Sequence, residues 1–134
     1  MFLDTSGLLC YQYAGETQHL QALHLFESSG RKLTQSYVLA EFLALVTARR
    51  LHRAQALAFL QSLPQHPLVE IVWVDRILHE QAIALIEARP DKNYSLCDAV
   101  SFVLMKERGL QEALTTDHHF EQEGFRRLLG NQNP

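Results

Sequence analysis

Met1-Phe2-Leu3-Asp4-Thr5-Ser6 reads as a short strand that ends on an acid and passes straight into a helix, with Thr5-Ser6 able to cap that helix. The same strand-then-helix unit recurs along the chain. Leu33 to Gln35 reads as a brief strand before the apolar run of residues 36–50. Val69-Glu70-Ile71-Val72-Trp73-Val74 is β-branched and aromatic, and an amphipathic helix over 76–88 follows it, stopped by Pro90. Ser95 opens a helix that runs to Gly109, a residue suited to a left-handed C-terminal cap. Ala113 to Thr116 and Phe125 to Leu129 read as the last strands. Strands alternating with helices of this length predict an α/β fold, a three-layer α/β/α sandwich around a mainly parallel sheet.

The intervening segments agree with this reading. A helix from about residue 7 carries Leu8, Leu9 and Tyr11 and breaks near Gly15, and Leu20, Leu23 and Phe26 keep the 3–4 spacing of a second. A further helix over about 53–63 ends before Pro64 and Pro67. No repeat, linker or low-complexity tract divides the chain, so residues 1–130 are expected to form one domain, with a polar tail over 131–134.

Composition narrows the class. The chain has 134 residues, 47% hydrophobic and 20% charged, which is ordinary for a globular domain with a real core. Its two cysteines, Cys10 and Cys97, form no CxxC pair, so a zinc knuckle is excluded and a reducing cytoplasm is the expected setting. The N-terminus lacks a basic start and an apolar block, and charges interrupt every apolar run, so neither a signal peptide nor a membrane span is expected. Net charge is −3. Even so, residues 31–53 hold Arg31, Lys32, Arg49, Arg50 and Arg53 against Glu41 alone, which would suit a phosphodiester or simply solvate a helix end and a turn.

Four acids carry the chemistry: Asp4, Glu41, Asp98 and Asp117. Each also fits an ordinary role. Asp4 could cap a helix, Asp98 stands at the capping-box distance from Ser95, and Asp117 could cap a turn. Glu41 lies within Tyr37-Val38-Leu39-Ala40-Glu41-Phe42-Leu43-Ala44-Leu45-Val46, where burial would require a partner or a metal, unless it points outward on an exposed stripe. Asp4 and Asp117 follow strands, and Glu41 and Asp98 are expected in the first turns of helices, so all four can face one crevice at the carboxyl ends of the strands. Carboxylates gathered there repel one another unless a divalent cation offsets their charge, and Mg²⁺ favours such oxygen ligands.

Taken together, Asp4-Thr5-Ser6, Glu41 in its helix, Ser95-Leu96-Cys97-Asp98-Ala99 and Thr115-Thr116-Asp117 resemble the PIN domain, particularly the VapC-type toxins of toxin–antitoxin pairs. The resemblance covers essentially the whole chain. It implies a parallel sheet of about five strands and an endoribonuclease dependent on Mg²⁺ or Mn²⁺. It further implies a homodimer and an antitoxin partner whose C-terminal segment enters the active site. Asp4, Glu41, Asp98 and Asp117 would be the metal-binding acids, with Ser6 and Thr116 as polar neighbours orienting carboxylates or water. Many relatives have a further acid where this chain has His119, which favours one well-held metal over two; Glu121 is the nearest substitute. Lys92, Arg49, Arg50 and Arg53 are candidate RNA contacts, with plain surface solvation as the alternative.

Other classes fit less well. No HExxH motif or Gly-rich phosphate loop occurs, the cysteines lack a recognisable His partner, and His118-His119 reads as a surface turn. A phosphoacceptor receiver domain would need an early acidic pair and a Lys near the final strands, and both are missing. A non-catalytic PIN-like module that binds RNA or protein is the remaining alternative, although a scaffold has no need of clustered acids.

Overall fold

Two residues of strand, β1 (Phe2–Leu3), form the middle of the sheet. The computed structural model describes residues 1–130, so the polar tail expected over 131–134 lies outside the described residues. In chain order the elements after β1 are α1 (Thr5–Gln12), α2 (His19–Ser28), β2 (Lys32–Gln35), α3 (Ser36–Ala48) and α4 (Arg53–Ser62). A 3₁₀ turn over Leu63–Gln65 leads to β3 (Val69–Val72), α5 (Arg76–Glu87), α6 (Leu96–Arg108), β4 (Glu112–Leu114), α7 (His119–Gln122) and β5 (Arg126–Arg127). The expected strands are all present; four are shortened by a residue or more, while β2 begins one residue earlier than expected. The short helix α7 is an addition, since four residues are too few for apolar periodicity to reveal.

All five strands are parallel, in the order β3-β2-β1-β4-β5. The chain steps outward from β1 through β2 to β3, then returns past β1 to lay down β4 and β5. Right-handed crossovers then divide the helices between the two faces. The packing agrees, with α1 against α2 and α3, and α3 against α4, while α5 and α7 pack on α6. β1 and β4 therefore flank the point where strand order reverses, and a crevice opens there at the carboxyl ends of the strands. The sheet is covered on both sides, and Phe2, Leu3, Phe42, Phe102, Phe120 and Met105 are fully buried.

Two glycines serve that geometry. Gly109 caps α6 with φ 67°, in the left-handed region expected of it. Gly7 lets α1 lie against β4: a Cβ there would stand 1.9 Å from the Leu114 carbonyl oxygen. Among the described residues, no helix is long and apolar enough to cross a membrane.

Candidate active site

Asp4 closes β1 and stands at the N-cap position of α1, yet its side chain makes no capping hydrogen bond. The helix begins at Thr5, so Thr5 and Ser6 lie within its first turn and do not cap it from outside. Asp4 is 4% exposed and faces the reversal point, because the register pairs Leu3 with Leu114 and the Asp4 N–H donates to the Leu114 carbonyl at 3.2 Å. Thr115 Oγ1 donates to Asp4 Oδ2 at 2.7 Å, and Ser6 Oγ donates to the same oxygen at 3.4 Å. Both hydroxyls thus converge on one carboxylate oxygen. The other carries no side-chain hydrogen bond among the described residues.

That carboxyl is pushed up to about 7, chiefly by burial and further by the charges of Asp98 and Glu41, against the lowering effect of the Thr115 hydrogen bond. Asp98 is also buried and also raised, first by burial and then by repulsion from Asp117. Its capping role is real as well. Ser95 and Asp98 exchange the reciprocal capping-box bonds, with the Asp98 N–H donating to Ser95 Oγ at 3.0 Å and the Ser95 N–H donating to Asp98 Oδ2 at 3.1 Å. Asp117 accepts the His119 N–H at 2.9 Å, so it too organises a turn.

Glu41 departs from expectation. It is exposed, and it lies one turn further into α3 than a first-turn position. The buried stripe of α3 is the narrow row Val38, Phe42 and Val46, while Ala40, Ala44, Thr47 and Ala48 share the open side with Glu41. Alanines made the run read as apolar all round, although Ala tolerates solvent without much cost. The desolvation argument for Glu41 therefore fails, and the outward-pointing reading holds. The glutamate nonetheless lies close enough to raise both Asp4 and Cys97 through its charge.

The supporting polar residues also differ from expectation. Thr116 donates its backbone N–H to Ser6 Oγ at 2.9 Å, and its carbonyl accepts from Arg127, but its hydroxyl makes no hydrogen bond to the acids. Thr115 is the residue that holds Asp4, and it also accepts the Asp117 N–H at 3.0 Å. Successive side chains at a strand end alternate in direction, so only one of two adjacent threonines can face Asp4. The parallel register gives that place to Thr115.

His119 is the second residue that the sequence did not single out as part of the site. It is half-buried, with Nδ1 3.1 Å from Asp98 Oδ2 and 3.4 Å from Asp117 Oδ1, and its ring meets Tyr94 edge-on at 5.5 Å. It therefore ties the two acids together. His118 is exposed, 3.7 Å from Asp117, as a surface turn requires. Asp117, His118 and His119 bring one ligand atom each to within 4.8 Å of one another. The His119 Nδ1 is already engaged by carboxylates, so the oxygen donors remain the stronger cation site. Glu121 is exposed and paired with Arg127 at 2.9 Å, which removes it as the substitute acid.

The basic candidates divide. Arg49 pairs with Glu16 at 2.6 Å and lines a cleft together with Ser6 and Thr116, beside the acids. Arg50 takes φ 55° in the turn that ends α3, Arg53 opens α4, and Lys92 lies 3.5 Å from Asp91; none of these three touches an acid of the site.

Comparison with known proteins bears on the fold and the family. The PIN domain family model matches residues 1–125. The 23S rRNA-specific endonuclease VapC20 of Mycobacterium tuberculosis, in strains CDC 1551 / Oshkosh and ATCC 25618 / H37Rv, is 34% identical over 126 residues, covering 93% of this chain and 95% of that protein. The crystal structure of Mycobacterium tuberculosis VapC20, described as a sarcin-ricin loop cleaving toxin, has a TM-score of 0.83 at 32% identity, over 92% of this chain and 95% of that one. Likeness of that extent in both sequence and fold shows the family: this chain belongs to the PIN-domain proteins and is similar to the VapC-type toxins among them.

Proposed function

We propose that the protein, acting as one domain over residues 1–130, is a divalent-metal-dependent endoribonuclease and the toxin of a cytoplasmic toxin–antitoxin pair. The observation that carries this reading is the buried Asp4 carboxyl at the reversal point of the sheet, raised to about 7 and repelled by Asp98 and Glu41. A buried carboxylate with like charges around it is destabilised when ionised, and a dication reverses that balance. The donors are all oxygen, the set preferred by Mg²⁺ or Mn²⁺, so the residues fit such an ion. Asp4, Asp98 and Asp117 would hold it, with Glu41 reaching in from the open side of α3. When bound, the ion supplies water activation and charge neutralisation at the phosphoryl oxygens.

The chain's own residues do the rest. Thr115 and Ser6 fix Asp4 through Oδ2 and leave its other oxygen to the crevice. His119 orients Asp98 and Asp117 and occupies the place of a further acid, which supports one tightly held ion. Arg50, Arg53 and Lys92 are the proposed contacts to RNA phosphates, whereas the Arg49 guanidinium is already paired with Glu16. An antitoxin and a second copy of the chain are the proposed partners, to be tested by co-purification with the product of an adjoining gene and by light scattering.

The deciding experiment is cleavage of RNA with Mg²⁺ or Mn²⁺ against EDTA, for the parent protein, Asp4→Asn and Asp98→Asn, with circular dichroism to check folding. Metal-dependent cleavage lost in both folded variants is expected. Undiminished cleavage in both variants would overturn the assignment. The capping bonds of Asp98 and Asp117 give a non-catalytic RNA- or protein-binding module its one argument, since these acids have partners without a metal. Saturable Mn²⁺ binding that Asp4→Asn abolishes would dispose of that alternative.

A further inference from the structure

A cleft of about 350 Å³ opens directly beside the acids, lined by Ser6 and Leu9 of α1, Glu16 of the following turn, Leu45 and Arg49 at the end of α3, and Thr116 after β4. Its inner wall belongs to the candidate site, because Ser6 Oγ lies 3.4 Å from Asp4 Oδ2 and 3.1 Å from Thr115 Oγ1 and accepts the Thr116 N–H. A larger cleft of about 500 Å³, lined by Met1, Arg31 and Lys32, opens at the opposite ends of the strands and shares none of these residues.

The cleft is built, not a gap between mobile chains. The Glu16 N–H donates to the Tyr13 carbonyl and the Glu16 carbonyl accepts the His19 N–H, each at 3.0 Å. Gln18 Nε2 donates to the Leu129 carbonyl at 2.8 Å, which pins the same turn to the C-terminal segment. Glu16 and Arg49 form an ion pair at 2.6 Å with side chains 20% and 45% exposed. Its volume lies within the ~300–1,000 Å³ range of small-ligand pockets.

Its chemistry selects the occupant. Leu9 and Leu45 offer apolar surface to a flat ring. Among the described residues, Glu16 is the only carboxylate lining the cleft and Arg49 the only cation, so the two charges offset and a phosphate gains no net attraction. A carboxylate accepts hydrogen bonds and cannot donate them, so the matching group must present an N–H or O–H donor. An unpaired nucleobase with an exocyclic amino group has that combination of flat apolar faces and donor edge, and single-stranded RNA is read through such splayed-out bases.

We propose that this cleft receives an unpaired, amino-bearing nucleobase adjoining the scissile phosphate, with Glu16 accepting from its N–H edge and Arg49 holding Glu16 in place. The inference rests on the nuclease reading of the neighbouring acids and adds a determinant of which nucleotide sits at the cut. Glu16 and Arg49 thereby act as specificity residues and take no part in the hydrolytic step.

Two measurements on the full chain test it, and they separate its failure from that of the nuclease reading. In the first, RNA oligomers carrying 2-aminopurine at successive positions are titrated with protein in EDTA. Fluorescence quenching at one position is expected, lost when Leu45→Trp fills the cleft; quenching at no position, or quenching unchanged in Leu45→Trp, overturns the proposal. In the second, steady-state cleavage with Mn²⁺ compares oligomers with adenine, cytosine, guanine, uracil or no base at that position. An abasic substitution is expected to raise KM about tenfold for the parent protein and uracil, which keeps an N3–H but has no amino group, to raise it less, and Glu16→Gln to flatten this preference while kcat stays within about threefold. A parent enzyme indifferent to the base at every flanking position, or Glu16→Gln retaining the full preference, overturns the proposal. Absence of all cleavage alongside intact quenching instead overturns the nuclease reading and leaves the base site standing.

Discussion

Replacing Asp4 by Asn should stabilise the metal-free protein at alkaline pH, an unusual result for a buried polar residue. The Asp4 carboxyl is held at about 7 against an ordinary 3.8. The sign follows from which state releases its proton first. Between about pH 4 and 7 the unfolded chain has already ionised this group while the folded chain retains the proton, so stability falls as pH rises through that window and levels off above it. Three units correspond to about 4 kcal/mol at pH 8. The Asn amide keeps an acceptor for Thr115 but adds a buried NH₂, a cost of about 1 kcal/mol, so the net gain is about 2–3 kcal/mol. Thermal unfolding in EDTA should show Asp4→Asn melting on the order of 10 °C above the parent at pH 8, with the gap closed at pH 5. Mn²⁺ should then raise the parent's Tm and leave that of the variant unmoved. A variant that melts no higher than the parent at pH 8, or a gap of the same size at both pH values, would refute the claim that burial of this charge strains the fold.

Three further outcomes are expected. Thr115→Val removes the 2.7 Å bond to Asp4 and should cost about 1.5–3 kcal/mol of stability in the Mn²⁺-loaded protein with at least a tenfold loss of cleavage, whereas Thr116→Val should be nearly silent; the reverse ranking by calorimetry and kinetics would show the register argument to be wrong. Gly7→Ala drives a Cβ into the Leu114 carbonyl and should lower Tm by several degrees and weaken Mn²⁺ binding, since α1 must lift away from β4; an unchanged melting curve contradicts it. Burial alone would raise the Glu123 carboxyl, but hydrogen bonds from Lys106, Arg89 and Tyr94 outweigh it and hold the group below its ordinary range. Its contribution is present above about pH 4.3 and is lost as pH falls through the lower folded value. Because Arg89 and Lys106 are 37% and 46% exposed, Glu123→Gln should cost only about 1–2 kcal/mol at pH 7, a difference that urea unfolding should find shrinking as pH falls below about 4.3.

Strand and helix placement was legible because each unit carries its own local signal: β-branched runs for β3, a capping box for α6, a glycine after Arg108. The family followed from the order of the acids. What escaped were features decided by contacts between distant residues. Thr115 could be told from its neighbour only through the pairing of β1 with β4, and His119 through a bond to Asp98 on another element. Glu41 was misjudged for the opposite reason. Its immediate neighbours are apolar, but Ala40 and Ala44 among them face solvent, and a count of neighbours cannot tell the two sides of a helix apart.

The reversal of strand order at β1 has a consequence for the life of the chain during its synthesis. Asp4 emerges first and its partners last: the Thr115 bond joins residues 111 positions apart. Until β4 is complete, β1 has a neighbour on one side only and the acids of its crevice are not gathered. A nascent chain that has not yet exposed residue 117 should therefore be inert toward RNA, and the late, long-range closure of the sheet should set the folding rate. Ribosome-arrested chains of graded length, assayed for RNA cleavage, would show it: activity should appear abruptly once β4 and Asp117 have cleared the exit tunnel, and a gradual rise from earlier lengths would argue that β1 and β4 are not needed together.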